Sequence, residues 1–242
     1  MIGRDGQMSM TGSPRYAIYY APAEGSALDR FGAHMLGSDA WTGEDVVFAD
    51  GLIEAVPDWR ELTRDARKYG FHATLKAPFH LAHDDGEDGL RTACAAFAAI
   101  LRPLPQIRPT VEPIGGFIAV IPGDPSPGLQ QLAADCVRAF EPFRAPMTPE
   151  DRARRKPEHM TPRQVEYLDC WGYPYVMEEF RFHMTLTCRL GADRRAAILA
   201  MLRERFAALG LERLAIDRIA LFKQDDASSR FRIIGSWPLA RS

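Results

Sequence analysis

From Arg15 onward, apolar and polar positions switch between strand-like and helix-like spacing. Arg15 to Ala21 (RYAIYYA) is aromatic and extended, and Pro22 ends it. Ser26-Ala-Leu-Asp29 has the form of a capping box and opens a short helix through Leu28, Phe31 and Met35 that stops near Gly37. Residues 38 to 58 show no period, and Asp58-Trp-Arg-Glu61 starts a helical turn that ends by Gly70. Phe71 to Leu81 reads as a strand running into the acidic turn at 84–88. Leu90, Cys94, Phe97 and Leu101 then recur at helical spacing until Pro103 and Pro105, and two extended runs flank Gly115-Gly116 as a hairpin. Leu129, Leu132, Cys136, Val137 and Phe140 mark a third helix. These stripes predict core-facing sides rather than cofactor contacts.

Residues 142–178 break this rhythm. Six prolines are scattered there among Arg152, Arg154, Arg155 and Lys156, with a short helix near Thr161-Pro-Arg-Gln164. Connections of this length usually carry function or move. Phe180 to Leu190 reads as a strand. Ile198, Met201, Leu202 and Leu209 mark a helix capped by Gly210, and Ala215 to Phe222 and Phe231 to Trp237 form a final hairpin.

The second half thus repeats the first: a strand beginning Phe-His-x-Thr-Leu, an amphipathic helix, then a hairpin. The two motifs, Phe71-His72-Ala73-Thr74-Leu75 and Phe182-His183-Met184-Thr185-Leu186, lie 111 residues apart. Thr occupies 10 of 242 positions, so chance explains poorly a doubled His-x-Thr with matching flanks. Residues two apart share a strand face, so His72 and Thr74 point one way while Phe71, Ala73 and Leu75 point to the core. The same alternation adds Lys76 to the first polar face and Thr187 to the second. Related halves would bring the two faces together across a cleft. Two imidazoles around a phosphate can serve as general base and general acid. The Thr hydroxyls can donate to non-bridging oxygens, and Lys76 can offset their charge. That chemistry requires neither metal nor cofactor.

The doubled His-x-Thr motif resembles the two-histidine (2H) phosphoesterase superfamily, which includes cyclic nucleotide phosphodiesterases and RNA ligase-like 2′,3′-cyclic phosphodiesterases. Tyr69-Gly-Phe-His72-Ala-Thr74-Leu-Lys76-Ala-Pro78-Phe79 and Trp171-Gly-Tyr-Pro-Tyr175 are similar to its uncharacterised branch found near bacterial phosphonate-utilisation genes. The resemblance implies an α+β fold of two pseudo-symmetric lobes over residues 14–242, each an antiparallel sheet with helices on its outer face, around a central cleft. It also implies a catalytic set of His72, Thr74, His183 and Thr185. The expected activity is metal-independent opening of a small cyclic or strained phosphodiester, linked to phosphonate metabolism. Tyr173, Tyr175, Thr187, Arg154 and Arg155 are candidate substrate contacts.

Composition narrows the partners. Of 242 residues 46% are hydrophobic and 26% charged, which is globular, and the net charge of −2 supplies no bulk attraction to extended nucleic acid or anionic membrane. Cysteines 94, 136, 170 and 188 form no Cys-x-x-Cys pair, which argues against a zinc ribbon or a disulfide framework. No apolar run reaches 18 residues, and residues 1–13 lack a signal-peptide core, so they read as a disordered tail of a cytoplasmic, monomeric protein. Two other readings use the same residues. One is a non-catalytic nucleotide- or RNA-binding module of the same fold. The other is a metal-dependent phosphohydrolase built on His80-Leu-Ala-His83-Asp84.

Overall fold

The period-two segments become the strands of one sheet. The computed structural model describes residues 12–82 and 86–242. In chain order these form β1 (Arg15–Tyr20), α1 (Ala27–Leu36), α2 (Leu52–Ala55), α3 (Trp59–Leu62), α4 (Arg64–Arg67), β2 (Ala73–Phe79) and α5 (Gly86–Ala99). Then come β3 (Gln106–Ile107), β4 (Pro109–Ile114), β5 (Phe117–Pro122), α6 (Pro127–Ala139), α7 (Pro149–Arg154) and α8 (Pro162–Trp171). The chain closes with β6 (Met184–Thr185), α9 (Ala192–Ala207), β7 (Leu214–Ala215), β8 (Arg218–Gln224) and β9 (Arg232–Pro238). The fold is α+β. Seven strands run β4-β5-β6-β2-β1-β8-β9, every neighbouring pair is antiparallel, and β3 pairs separately with β7.

Burial on both faces explains the unbroken apolar run of β1. Tyr16, Ile18 and Tyr20 join the main core, together with Leu90, Cys94 and Phe97 of α5 and Ile198, Leu202 and Phe206 of α9. Ala17 and Tyr19 point the other way, into a second cluster with Ala220, Phe222, Phe231 and Ile233. Each fully buried large side chain contributes roughly 1.5–3 kcal/mol. Trp59 is among them, and its indole Nε1 donates to the Met35 carbonyl at 2.7 Å, tying α3 to α1.

Four sequence expectations change. Leu101 is 68% exposed, because α5 stops at Ala99. The strand expected over 180–190 shortens to Met184–Thr185. Its continuation is diverted: the Thr187 hydroxyl accepts from the Ile118 amide, the Cys188 amide turns to Leu62, and the Leu190 amide to Gly116. Ser26 caps α1 by accepting from the Asp29 amide, but Asp29 accepts from Gly25 rather than closing a box; the full capping box is at Thr161 and Gln164 on α8. The 142–178 connection is built rather than open, with α7 and α8 in it and Tyr167 and Val176 packed on Val137 of α6. No described helix is long and apolar enough to cross a membrane. The four cysteines are unpaired. Residues 1–11 of the expected tail lie outside the described residues.

Candidate active site

The two motifs meet at one point of the sheet. Ala73 of β2 pairs with Met184 of β6, the single registered pair between these strands. Continuing that antiparallel register by one residue in each direction sets His72 across from Thr185 and Thr74 across from His183. Residues opposite each other in such a pair have Cβ atoms about 5 Å apart, so this register would gather the four polar side chains on one face. The alternation read from sequence is present at both motifs. Phe71, Ala73, Leu75, Phe182, Met184 and Leu186 are buried, while His72, Thr74, His183 and Thr185 keep partial exposure.

Both imidazoles are held the same way. His72 Nδ1 lies 2.9 Å from the Gly70 carbonyl, and His183 Nδ1 lies 2.8 Å from the Arg181 carbonyl. A carbonyl can only accept, so in the neutral ring Nδ1 carries the proton and Nε2 is left as the basic nitrogen. Burial pushes His72 down to about 4, opposed by the Gly70 bond and reinforced by repulsion from a protonated His183. Burial also lowers His183, against the Arg181 bond. The His183 charge acting on His72 marks the rings as electrostatic neighbours. An anion between them would restore their protons.

Gly70 adopts φ of +73°, which aims its carbonyl at His72, and a Cβ there would come within 2.6 Å of Ala40 Cβ. Gly70→Ala is therefore expected to cost about 1–2 kcal/mol in urea unfolding and to release the imidazole from its orientation. A variant of unchanged stability would refute this account of the turn.

Sequence reading missed the surroundings of His72. Tyr19 of β1, opposite Thr74 in register, stacks on the imidazole at 3.9 Å between centroids and 23° between planes. Burial holds its phenol well above the ordinary tyrosine range. Phe222 lies 5.8 Å and Tyr69 6.0 Å from the same imidazole. His183 has a lighter contact, with Phe117 at 5.6 Å. The tyrosine-rich run of β1 was legible only as a strand, since no spacing ties residue 19 to residue 72.

Several predicted contacts sit elsewhere. Lys76 is buried and donates to Glu141 at 2.8 Å and to the Val137 carbonyl at 3.2 Å, so it is not a free cation beside the histidines. Thr187 is buried in the β5 pairing already described. Arg152 forms a bidentate pair with Asp169 (2.6 and 3.0 Å), and Arg154 pairs with Asp151. Arg155 instead lies over the Tyr173 ring at 5.7 Å, and Tyr173 meets Tyr175 edge-on at 5.6 Å. The Tyr173 phenol is raised by burial, against the pull of the Arg155 charge. Among the described residues no three His, Cys, Asp or Glu side chains form a metal-binding group. His80 points Nδ1 at the Pro14 carbonyl, and His83 and Asp84 lie outside the described residues.

Comparison with known proteins extends this picture. A protein of Janthinobacterium sp. (strain Marseille) named ribose 1,5-bisphosphate phosphokinase PhnN is 36% identical over 235 residues, covering 93% of this chain and 51% of that protein. One of the same name from Laribacter hongkongensis (strain HLHK9) is 31% identical over 221 residues, covering 90% of this chain and 50% of that protein. The chain spans about half the length of the curated relatives it matches. The family described as "Protein of unknown function (DUF1045)" matches residues 74–232, a span holding Thr74, the connection and the whole second motif, and the chain belongs to that family.

Proposed function

We propose that the cleft between β2 and β6 opens a small cyclic phosphodiester by two-histidine acid–base catalysis, as in 2H phosphoesterases. The observation that carries this reading is the matched pair of imidazoles, each with Nδ1 on a carbonyl two residues earlier and a threonine across from it. Water attacks phosphorus and gives its proton to one Nε2, while the other imidazolium protonates the ester oxygen as its P–O bond breaks. Thr74 and Thr185 donate to the non-bridging oxygens. Sheet order supports two related halves. Exchanging β1, β2, β3 and β4 with β5, β6, β7 and β8 returns the same strand order and the same β3–β7 pair, with β9 added at one edge. Two such halves, joined at the centre by one residue pair, would leave the cleft of a bilobal fold.

The names of the relatives suggest a substrate. None of the four lysines here follows a glycine, so the Gly-Lys-Ser/Thr of a P-loop is not among these residues, and a P-loop kinase site of those longer proteins would lie in their other half. A ribose 1,2-cyclic phosphate bearing a 5-phosphate yields ribose 1,5-bisphosphate when the C1 ester is kept and O2 leaves. This half would then supply what a ribose 1,5-bisphosphate phosphokinase consumes, which is the form a link to phosphonate metabolism would take. Purified protein dialysed against a chelator is expected to open this ester and to give a bell-shaped pH profile of kcat/KM belonging to the histidine pair. Phosphate binding without turnover of any cyclic phosphate would leave a binding module. Strict dependence on an added divalent ion would move the argument to a metal-based reaction.

A further inference from the structure

The two imidazoles share a carbonyl anchor but not a second restraint. A ring tethered through Nδ1 alone can still swing about that hydrogen bond, so another contact decides where Nε2 points. For His72 that contact is Tyr19, face to face with it at 3.9 Å between centroids and 23° between planes. Tyr19 cannot follow a turning imidazole. It is 1% exposed and wedged against Phe222 at 4.8 Å and Phe231 at 6.4 Å. Strand pairing also holds its backbone on both sides, opposite Thr74 of β2 and Ala220 of β8. Among the described residues the one ring beside His183 is Phe117, 5.6 Å away and tilted by 51°.

Rings so differently held suit different proton roles. A base must be neutral and already aimed when water attacks, and an aromatic surround limits the water that would solvate a charge on His72. His183 makes its carbonyl contact at the surface, where a proton donor is solvated more easily. Besides His183, the titratable groups facing His72 are the phenols of Tyr19 and Tyr69. Among the described residues no carboxylate or cationic side chain contacts its ring. The electrostatics agree: burial and the charge on His183 lower His72, whereas His183 is lowered by burial alone.

We propose that Tyr19 is a positioning residue that fixes the plane of the His72 imidazole, so that His72 takes the proton of the attacking water and His183 gives one to the leaving oxygen. The new O–P bond forms as that proton passes to His72 Nε2, and the ester P–O bond breaks as His183 Nε2 protonates the departing oxygen. The proton roles rest on the phosphodiesterase reading; the restraint on the ring does not. On a cyclic phosphate, Tyr19→Leu should lower kcat about tenfold or more and change KM less than about threefold, and Tyr19→Phe, which keeps the ring, should recover most of the loss. Equal losses in both variants, or a loss confined to KM, would overturn the positioning role. Nitrogen NMR of the histidine rings in the unsubstituted protein keeps the test decisive if Tyr19→Leu unfolds: His183 should protonate at higher pH than His72, and the reverse order would overturn the assignment. On bis(para-nitrophenyl) phosphate, whose nitrophenolate leaves without a proton, His183→Ala should come within about tenfold of the unsubstituted protein while His72→Ala stays impaired. Recovery of His72→Ala instead would overturn the roles. If no phosphodiester is opened at all, the phosphodiesterase reading fails and the spectra still decide the restraint. Tyr19→Leu should then move the His72 signals and leave those of His183, and unmoved His72 signals would refute it.

Discussion

Replacing His72 or His183 by alanine is expected to lower kcat about 10²–10⁴-fold, with the double variant losing little more than either single one. The non-additivity follows from the geometry. Each ring offers one Nε2, the other nitrogen being committed to the Gly70 or Arg181 carbonyl, and in the proposed reaction a single turnover needs one ring to accept a proton while the other donates. Removing either leaves half of a coupled transfer, so removing the second takes away little that was still working. A loss confined to KM would point to simple phosphate binding. Near-normal turnover by His72→Ala would remove the imidazoles from the chemistry altogether. Both rings keep partial exposure, so a loss of activity with unaltered unfolding behaviour separates chemistry from collapse of the site.

The fold is expected to weaken in acid because of the same residues. His72 sits at about 4 in the folded chain, held down by burial, against roughly 6.5 for an unfolded histidine. Between these values the unfolded chain takes up a proton that the folded chain refuses. The contribution is therefore fully present above about pH 6.5 and is lost as pH falls through the window to about 4. For His72 this amounts to about 2 kcal/mol between pH 7.5 and 4.5, and His183 adds in the same direction. Urea unfolding at the two pH values, for the unsubstituted protein and for His72→Gln, isolates the effect from carboxylates titrating nearby. The unsubstituted protein should lose more stability than the variant, and inorganic phosphate should narrow the gap by favouring the protonated ring. Parallel losses would show that His72 protonates freely in the folded state.

The candidate site residues and the frame that carries them were legible where the information is local. Period-two alternation placed His72, Thr74, His183 and Thr185 on one kind of face and Phe71, Leu75, Phe182 and Leu186 in the core, because a strand's geometry is set by the residues themselves. The stripes of α5, α6 and α9 and the hairpins β4–β5 and β8–β9 could be read for the same reason. The same rule read Lys76 and Thr187 as site residues and stopped there. Each is buried against a partner far along the chain, Glu141 for the first and Ile118 for the second.

By itself, then, the sequence determined where the longer strands and helices run, and that two copies of one polar motif exist. These follow from spacing along the backbone. Only the tertiary structure decided what surrounds those motifs: Tyr19 stacked on His72, the Ala73–Met184 pair that joins the two motifs in the sheet, and the separation of Arg155 from Arg152 and Arg154 by their different partners. Contacts between residues 53 or 111 positions apart leave no period in the chain, because they depend on which strands become neighbours and on where the chain returns to cover them.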